Sequence, residues 1–268
     1  MMTVDFLIIG AGPCGLEAAT RLHQHGQESW LVVDQADKPG GLSCTVETDE
    51  GFLVDKGGHV VFSSFQYFDE LLQEALGDYQ DESVWATHVR KTHVMLNDSG
   101  KYVRVPYPFQ HNIGALSSGL KGECVEGIDN RDRSRLPHNF KEWIVYNFGD
   151  GIARAFMFPY NLKVWAHDLA TMSKEWVSAR VADVDSYAVV QNAMNYKECG
   201  VWGPNRQFRF PQRGGTSIVY EKIAGLLPRD KLLFSKKVVG INPEQKICMV
   251  HDGQCIKYRQ ASAHSEID

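Results

Sequence analysis

The string Phe6-Leu7-Ile8-Ile9-Gly10-Ala11-Gly12-Pro13-Cys14-Gly15 constrains the fold more than any other stretch of the chain. A continuous apolar run reads as a strand buried on both faces, and the glycines that stop it allow a tight turn into a helix. Leu16, Ala18, Ala19 and Leu22 then recur at helical spacing, Gly26 suits the position just past a helix end, and Trp30-Leu31-Val32-Val33 is a second buried strand closed by Asp34. The spacing therefore predicts a β-α-β unit. Gly10, Gly12 and Gly15 would let a pyrophosphate approach the backbone N–H groups at the helix N-terminus. Asp34, about 20 residues further on, could accept hydrogen bonds from both ribose hydroxyls. The plainer alternative for Asp34 is a solvated charge at a strand end.

Two further glycine pairs follow, Gly40-Gly41 in the loop Lys38–Ser43 and Gly57-Gly58 after Phe52–Asp55, with His59 next in line. Repeated glycines facing one extended ligand favour FAD over NAD, although either pair alone is equally a turn. Phe68–Leu76 has the apolar spacing of a surface helix, and Val89–Val105 reads as two short strands about Asn97-Asp98-Ser99-Gly100. Pro106–Gln110 is a rigid aromatic loop. The polar stretch Gly119–Pro137, with Arg131, Arg133 and Arg135, reads as an exposed connection. Phe140–Trp165 and Ser173–Met194 read as helical, Trp202-Gly203-Pro204-Asn205 breaks that run, and Pro211–Ser217 is a glycine-bearing loop. Ile218–Leu227 is a helix ended by Pro228, and Lys237–Ile241 with Ile247–His251 makes a strand pair.

Composition excludes several classes. With 28 Lys and Arg against 33 Asp and Glu, the net charge of −5 offers no global positive field for nucleic acid or anionic lipid. The opening apolar run is too short for a signal segment or a membrane span, so a cytoplasmic protein is expected. The 6 cysteines form no CxxC pair and no zinc-ligand spacing, so free thiols and no metal are expected.

Several strings together resemble the amine-oxidase-like FAD superfamily: Gly10–Ala19, Pro39-Gly40-Gly41-Leu42 and Asp55–Phe62. Within it the chain closely resembles the eukaryotic type of UDP-galactopyranose mutase. That likeness is carried by Val105–Gln110, Phe140–Val145, Pro159–Ala166, Trp202–Asn205 and Phe208–Pro211, and runs from Val4 to Gly253. The resemblance implies an α/β fold, with a Rossmann-like FAD-binding domain and an inserted, mainly helical substrate domain. The implied boundaries are 1–88 and 205–253 for the FAD-binding parts, 89–204 for the substrate domain and 254–268 for a divergent tail.

The resemblance further implies an isomerase that interconverts UDP-galactopyranose and UDP-galactofuranose, with reduced FAD N5 as nucleophile at the sugar anomeric carbon and NADPH as reductant. Carried over by position, Gly10, Gly12, Gly15, Asp34, Gly41, Leu42, Gly58, His59, Val60 and Val238 would hold FAD. His59 would lie near the reacting flavin edge, and Arg180 would grip the diphosphate with its planar fork. Tyr107, Phe109, Gln110, Phe156, Asn161, Trp165 and Asn205, with Arg180, would form the uridine and sugar surface. Partners would be the UDP-sugars, with no nucleic acid and no membrane, and homo-oligomerisation is left open.

The chain departs from the family in two respects. Phe158 stands where arginine is usual, and the family continues for roughly as many residues again. Residues 254–268 lose the pattern and read as a polar tail. The expectation is a truncated member with reduced or absent activity. The alternatives are an amine-oxidase-like FAD oxidoreductase and a non-catalytic FAD-binding remnant.

Overall fold

A computed structural model describes residues 1–61, 63, 65–177, 185–196, 198–199 and 207–264. In chain order these form β1 (Met2–Ile9), α1 (Pro13–Gln24), β2 (Trp30–Val33), β3 (Thr45–Glu47), β4 (Leu53–Asp55), α2 (Gln66–Leu76) and β5 (Trp85–Val89). The hairpin β6 (His93–Asp98) and β7 (Lys101–Pro106) precedes α3 (Ser118–Asp129), α4 (Phe140–Ile152), a π-turn Ala153–Met157, α5 (Phe158–Trp165) and α6 (Ser186–Met194). Last come β8 (Gln207–Pro211), α7 (Ser217–Gly225), β9 (Leu232–Leu233), β10 (Val238–Asn242), β11 (Ile247–Val250) and β12 (Cys255–Ala263). The chain divides into two compact units, one of residues 1–88 with 208–268 and one of residues 89–207.

The first unit is built on a six-stranded sheet of order β10-β11-β12-β1-β2-β9. β1 pairs in parallel with β2 and with β12, and β2 pairs in parallel with β9. Successive residues of β1 and β2 serve opposite faces, as a strand's period of two requires. Ile8, Trp30 and Val32 pack with Leu16 and Ala19 of α1, Leu71 and Leu72 of α2, and Val219 and Ile223 of α7. Leu7, Ile9, Leu31 and Val33 pack on the other face with Cys248, Val250, Ile256 and Tyr258. Burial on both faces is why both strands read as unbroken apolar runs.

β12 corrects the expectation of a polar tail after residue 253. Cys255–Ala263 lies in the middle of the sheet, in parallel register with Met2–Ile9 and antiparallel to β11. Only its first half alternates toward the core, through Ile256 and Tyr258, and residues 259–263 are exposed. Backbone pairing with β1, which is set by distant residues, holds that polar half in the sheet.

The second unit is α-rich. Its hairpin turns through Ser99 and Gly100, both at positive φ, as the tight primed turn requires, and Asn97 Oδ1 accepts from the Gly100 N–H at 2.8 Å. α3 corrects the reading of 119–137 as a connection throughout. Ser117 caps it, and Cys124 and Ile128 are buried four residues apart, with Leu120 packed against the same core. Its Gly127 meets α4 so closely that an added Cβ would lie 2.6 Å from the Gly151 N. The expected helix across 140–165 is interrupted: Gly149 takes φ 73°, ψ 167°, and the π-turn follows before Pro159 opens α5. Phe140, Ile144, Phe148, Ile152, Phe156 and Phe109 form the centre of this unit's core.

Candidate functional site

At the carboxyl end of β1 the chain turns at Gly10, φ 103°, and enters α1 after Gly12. Gly15 is demanded by packing, since a Cβ there would stand 1.9 Å from the Gly10 carbonyl oxygen. Gly12 is different: its nearest neighbour to an added Cβ is the Gly41 Cα at 3.9 Å, so its outer side is open. Gly40 N–H donates to the Ala11 carbonyl at 2.9 Å, which lays the second glycine loop against the first. The first turn of α1 carries no acidic side chain, so no carboxylate of that turn offsets the positive end of the helix dipole.

Asp34 closes this cradle. One oxygen accepts from the Ala11 N–H at 2.5 Å and the other from the Ala36 N–H at 2.7 Å. A carboxylate has about four lone-pair sites, so both oxygens retain capacity for a hydroxyl donor. Val238, at the start of β10, is brought towards this end of the sheet because Lys236 N–H donates to the Asp34 carbonyl at 2.8 Å. Leu42 follows Gly41 and is 80% exposed.

The second glycine pair, Gly57-Gly58, is approached through a polar knot that no local sequence pattern marks. Asp55 accepts from Thr45 Oγ1 at 2.5 Å, from the Thr216 N–H at 3.1 Å and from Thr216 Oγ1. Ser217 Oγ accepts from the Thr45 N–H at 2.6 Å, and Ser217 N–H donates to Thr45 Oγ1 at 3.0 Å. Burial works against the Asp55 charge, but the hydrogen bonds from Thr216 and Thr45, with His59 nearby, hold its carboxyl below the usual range. Gly215, φ 61°, permits the contact, since a Cβ would lie 2.3 Å from Thr45 Oγ1.

Beyond Asp55, Gly57 takes φ 111° and no described residue lies within 4 Å of where a Gly58 Cβ would be. His59 and Val60 line a cavity of 90 Å³ with Phe68, Phe210, Thr216 and Tyr220. The buried Nδ1 of His59 has no hydrogen-bond partner among the described residues. Such an orphaned atom fits a site that a polar ligand completes.

In the second unit Phe109 stacks on Phe156 at 4.9 Å and 27°, and Phe156 stacks on Tyr160 at 5.0 Å and 25°. Tyr107 meets the Phe156 ring edge-on at 6.3 Å. Phe109 is fully buried and Tyr160 is 45% exposed, so the ladder runs from the core to the surface. Gln110 is 1% exposed, with its Oε1 unpartnered among the described residues. Burial, then the Tyr160 charge, raises the Tyr107 phenol, with Arg90 opposing. Asn161 Nδ2 donates to the Met157 carbonyl at 2.8 Å, closing the π-turn onto α5. Trp165 sits apart from the ladder, edge-on to Trp176 at 5.0 Å.

The structure thus brings together Gly10, Gly12, Gly15, Asp34 and Gly41 in one cradle, His59 and Val60 in one cavity, and Tyr107, Phe109 and Phe156 in one stack. Arg180 and Asn205 lie outside the described residues. Among the described residues no group of three or more His, Cys, Asp or Glu could hold a metal ion, and no helix is long and apolar enough to cross a membrane.

Residues 8–75 match the family model of an NAD(P)-binding Rossmann-like domain. Over 98% of its length the chain is similar to a crystal structure of reduced UDP-galactopyranose mutase, at 38% identity and a TM-score of 0.87, covering 55% of that chain. Wild-type putrescine oxidase bound to putrescine matches at 19% identity and a TM-score of 0.57, covering 97% of this chain and 57% of that one. A CLA-producing fatty acid isomerase from P. acnes matches at 14% identity and a TM-score of 0.55, covering 98% and 59% respectively. These last two share the fold alone. The chain therefore has the mixed α/β fold of UDP-galactopyranose mutase, with a Rossmann-like dinucleotide-binding unit, and spans less than two thirds of the length of each of these three structures.

Proposed function

We propose that this chain carries the cofactor and substrate surfaces of a flavin-dependent UDP-galactopyranose/UDP-galactofuranose mutase of the eukaryotic type. The observation that carries the reading is 38% identity to a reduced UDP-galactopyranose mutase across both units, rather than across the glycine motif alone. In this reading residues 1–88 and 205–253 hold FAD and residues 89–204 hold the UDP-sugar.

The residues present fit an FAD. The open side of Gly12 and the N-terminus of α1 would take the pyrophosphate, and Asp34 the ribose hydroxyls. Gly41, Leu42, Gly58, Val60 and Val238 would pass along the rest of the ligand, and His59 would direct its unpartnered Nδ1 to the reacting end. Bound and reduced, with NADPH as the source of electrons, the flavin supplies a nucleophile for the sugar's anomeric carbon.

The chain's own groups bind and orient the substrate. Tyr107, Phe109 and Phe156 form the aromatic wall, with Gln110 and Asn161 as amides that fix orientation. Trp165, packed on Trp176 apart from that wall, would add a separate ring to the uridine and sugar surface, while Arg180 would take diphosphate oxygens and Asn205 would serve the sugar.

The test is to load the purified chain with FAD, reduce it with dithionite and supply UDP-galactofuranose. Formation of UDP-galactopyranose only after reduction is the expected result. Bleaching of the oxidised flavin by an amine, with no isomerisation of the UDP-sugar, would contradict it and favour an oxidoreductase. Folded protein that takes up no FAD would contradict both readings.

A further inference from the structure

His59 sits on a segment with little to hold it in place. Between Asp55 and Val61 the chain passes through Gly57 at φ 111° and Gly58, which among the described residues has nothing within 4 Å of an added Cβ. On the amino side the segment is anchored by the Asp55 knot. On the other side an isolated bridge holds it: Val61 N–H donates to the Arg209 carbonyl at 2.9 Å, and Arg209 N–H donates to the Val61 carbonyl at 2.7 Å.

The Arg209 side chain has its own seat. Its guanidinium lies 4.4 Å from the centre of the Tyr79 ring, and Tyr79 OH donates to Asp69 Oδ1 at 2.8 Å. Burial, then the Asp69 hydrogen bond and charge, raises the Tyr79 phenol, so it stays a donor to Asp69 at all ordinary pH. Trp85, 1% exposed, closes the other side of Tyr79 edge-on at 5.3 Å. Neighbouring residues of a strand point to opposite faces. Seating Arg209 over Tyr79 therefore turns Phe210 the other way, and Phe210 lines the cavity that His59 lines.

We propose that Arg209 is a positioning residue for His59: stacked on Tyr79, which Asp69 fixes, it sets the bridge to Val61 and the place of Phe210, and so the place of the imidazole. The proposal deepens the mutase reading and rests on it for its importance to the flavin, but its geometry belongs to the protein alone. A cation over a ring is a role lysine can share and methionine cannot.

The experiment follows the His59 Cε1–H resonance in the full chain with ring-labelled histidine, assigned by its disappearance in His59→Gln. Arg209→Met is expected to move or split that resonance, and Arg209→Lys to return it to the wild-type position. Tyr79→Phe, which removes only the hydroxyl bonded to Asp69, is expected to produce a smaller displacement and keeps the test open should Arg209→Met fail to fold. With FAD bound, the long-wavelength flavin absorbance should follow the same order. An imidazole signal unmoved in both Arg209→Met and Tyr79→Phe, or in Tyr79→Phe when Arg209→Met does not fold, would overturn the proposal. So would a displacement that lysine does not restore. A chain that takes up no FAD would overturn the mutase reading while leaving the imidazole measurement to decide the role of Arg209.

Discussion

The two units offer their proposed ligand surfaces in opposite ways. Around Gly12 and Gly41 the first unit presents backbone, and what matters is the side chains it lacks. In the second unit the proposed contacts Phe109 and Phe156 are rings that also build the core, so one residue would serve both packing and contact. At Gly12 such a surface of absent side chains can be altered without unfolding the protein, whereas a surface made of core side chains cannot.

The largest expected effect breaks the first unit at the cradle glycine that packing demands. Gly15→Val would drive its Cβ into the Gly10 carbonyl, at 1.9 Å even before the valine methyls are counted. A loss of about 3 kcal/mol or more is expected for such overpacking, seen as a lowered thermal midpoint in circular dichroism. A midpoint equal to wild type would contradict the packing role.

Phe156→Ala should cost about 3–5 kcal/mol, because it removes a side chain 5% exposed and stacked on two others. Urea unfolding measures it. A cost below about 1 kcal/mol would mean that the ring belongs to a surface and not to the core, and would remove the contrast between the units.

Asp55→Asn sharpens the comparison within the first unit, where the polar knot is a part of the candidate site that depends on a charge. The expected loss near neutral pH is about 1–3 kcal/mol, as for a buried hydrogen-bonding group left mismatched. The folded Asp55 carboxyl titrates below its unfolded value of about 3.9, so its contribution is full above that pH and fades as pH falls through the lower folded value. Wild-type and variant stabilities should converge in strong acid. A gap that is constant down to the lowest pH would show that the charge is not what matters.

Gly12→Ala is the smallest perturbation of the fold. The site has φ −72°, ψ −177°, which alanine adopts freely, and the closest neighbour to the new methyl is 3.9 Å away. Stability is expected to change by less than about 1 kcal/mol, by the same thermal measurement.

Much of the first unit can be read from the residues themselves. β1, α1 and β2 declare themselves because burial on both faces writes continuous apolar runs, and the glycines between them have no other use. β12 does not, because Gln260 and Ser262 are exposed and pairing with β1 is written in backbone register over a long separation. α3 is hidden by Gly119, Gly122 and Gly127, which weaken its helical signal, although Gly127 is what permits its close approach to α4. The Asp55 knot joins Thr45 to Ser217 across 172 positions, a link that no local pattern carries. In the second unit the apolar spacing marks a core. Only the resemblance singles out Tyr107, Phe109 and Phe156 from other buried aromatics, while Trp165 packs elsewhere.

The most direct measurement is an equilibrium titration of FAD into the wild-type chain and into Gly12→Ala, followed by quenching of flavin fluorescence. The account predicts that the wild type binds and that Gly12→Ala, with an unchanged melting temperature, binds about tenfold more weakly or worse, a loss of about 1.4 kcal/mol. Equal binding by the two proteins, or no binding by folded wild type, would contradict the claim that the open backbone at Gly12 is where the dinucleotide rests.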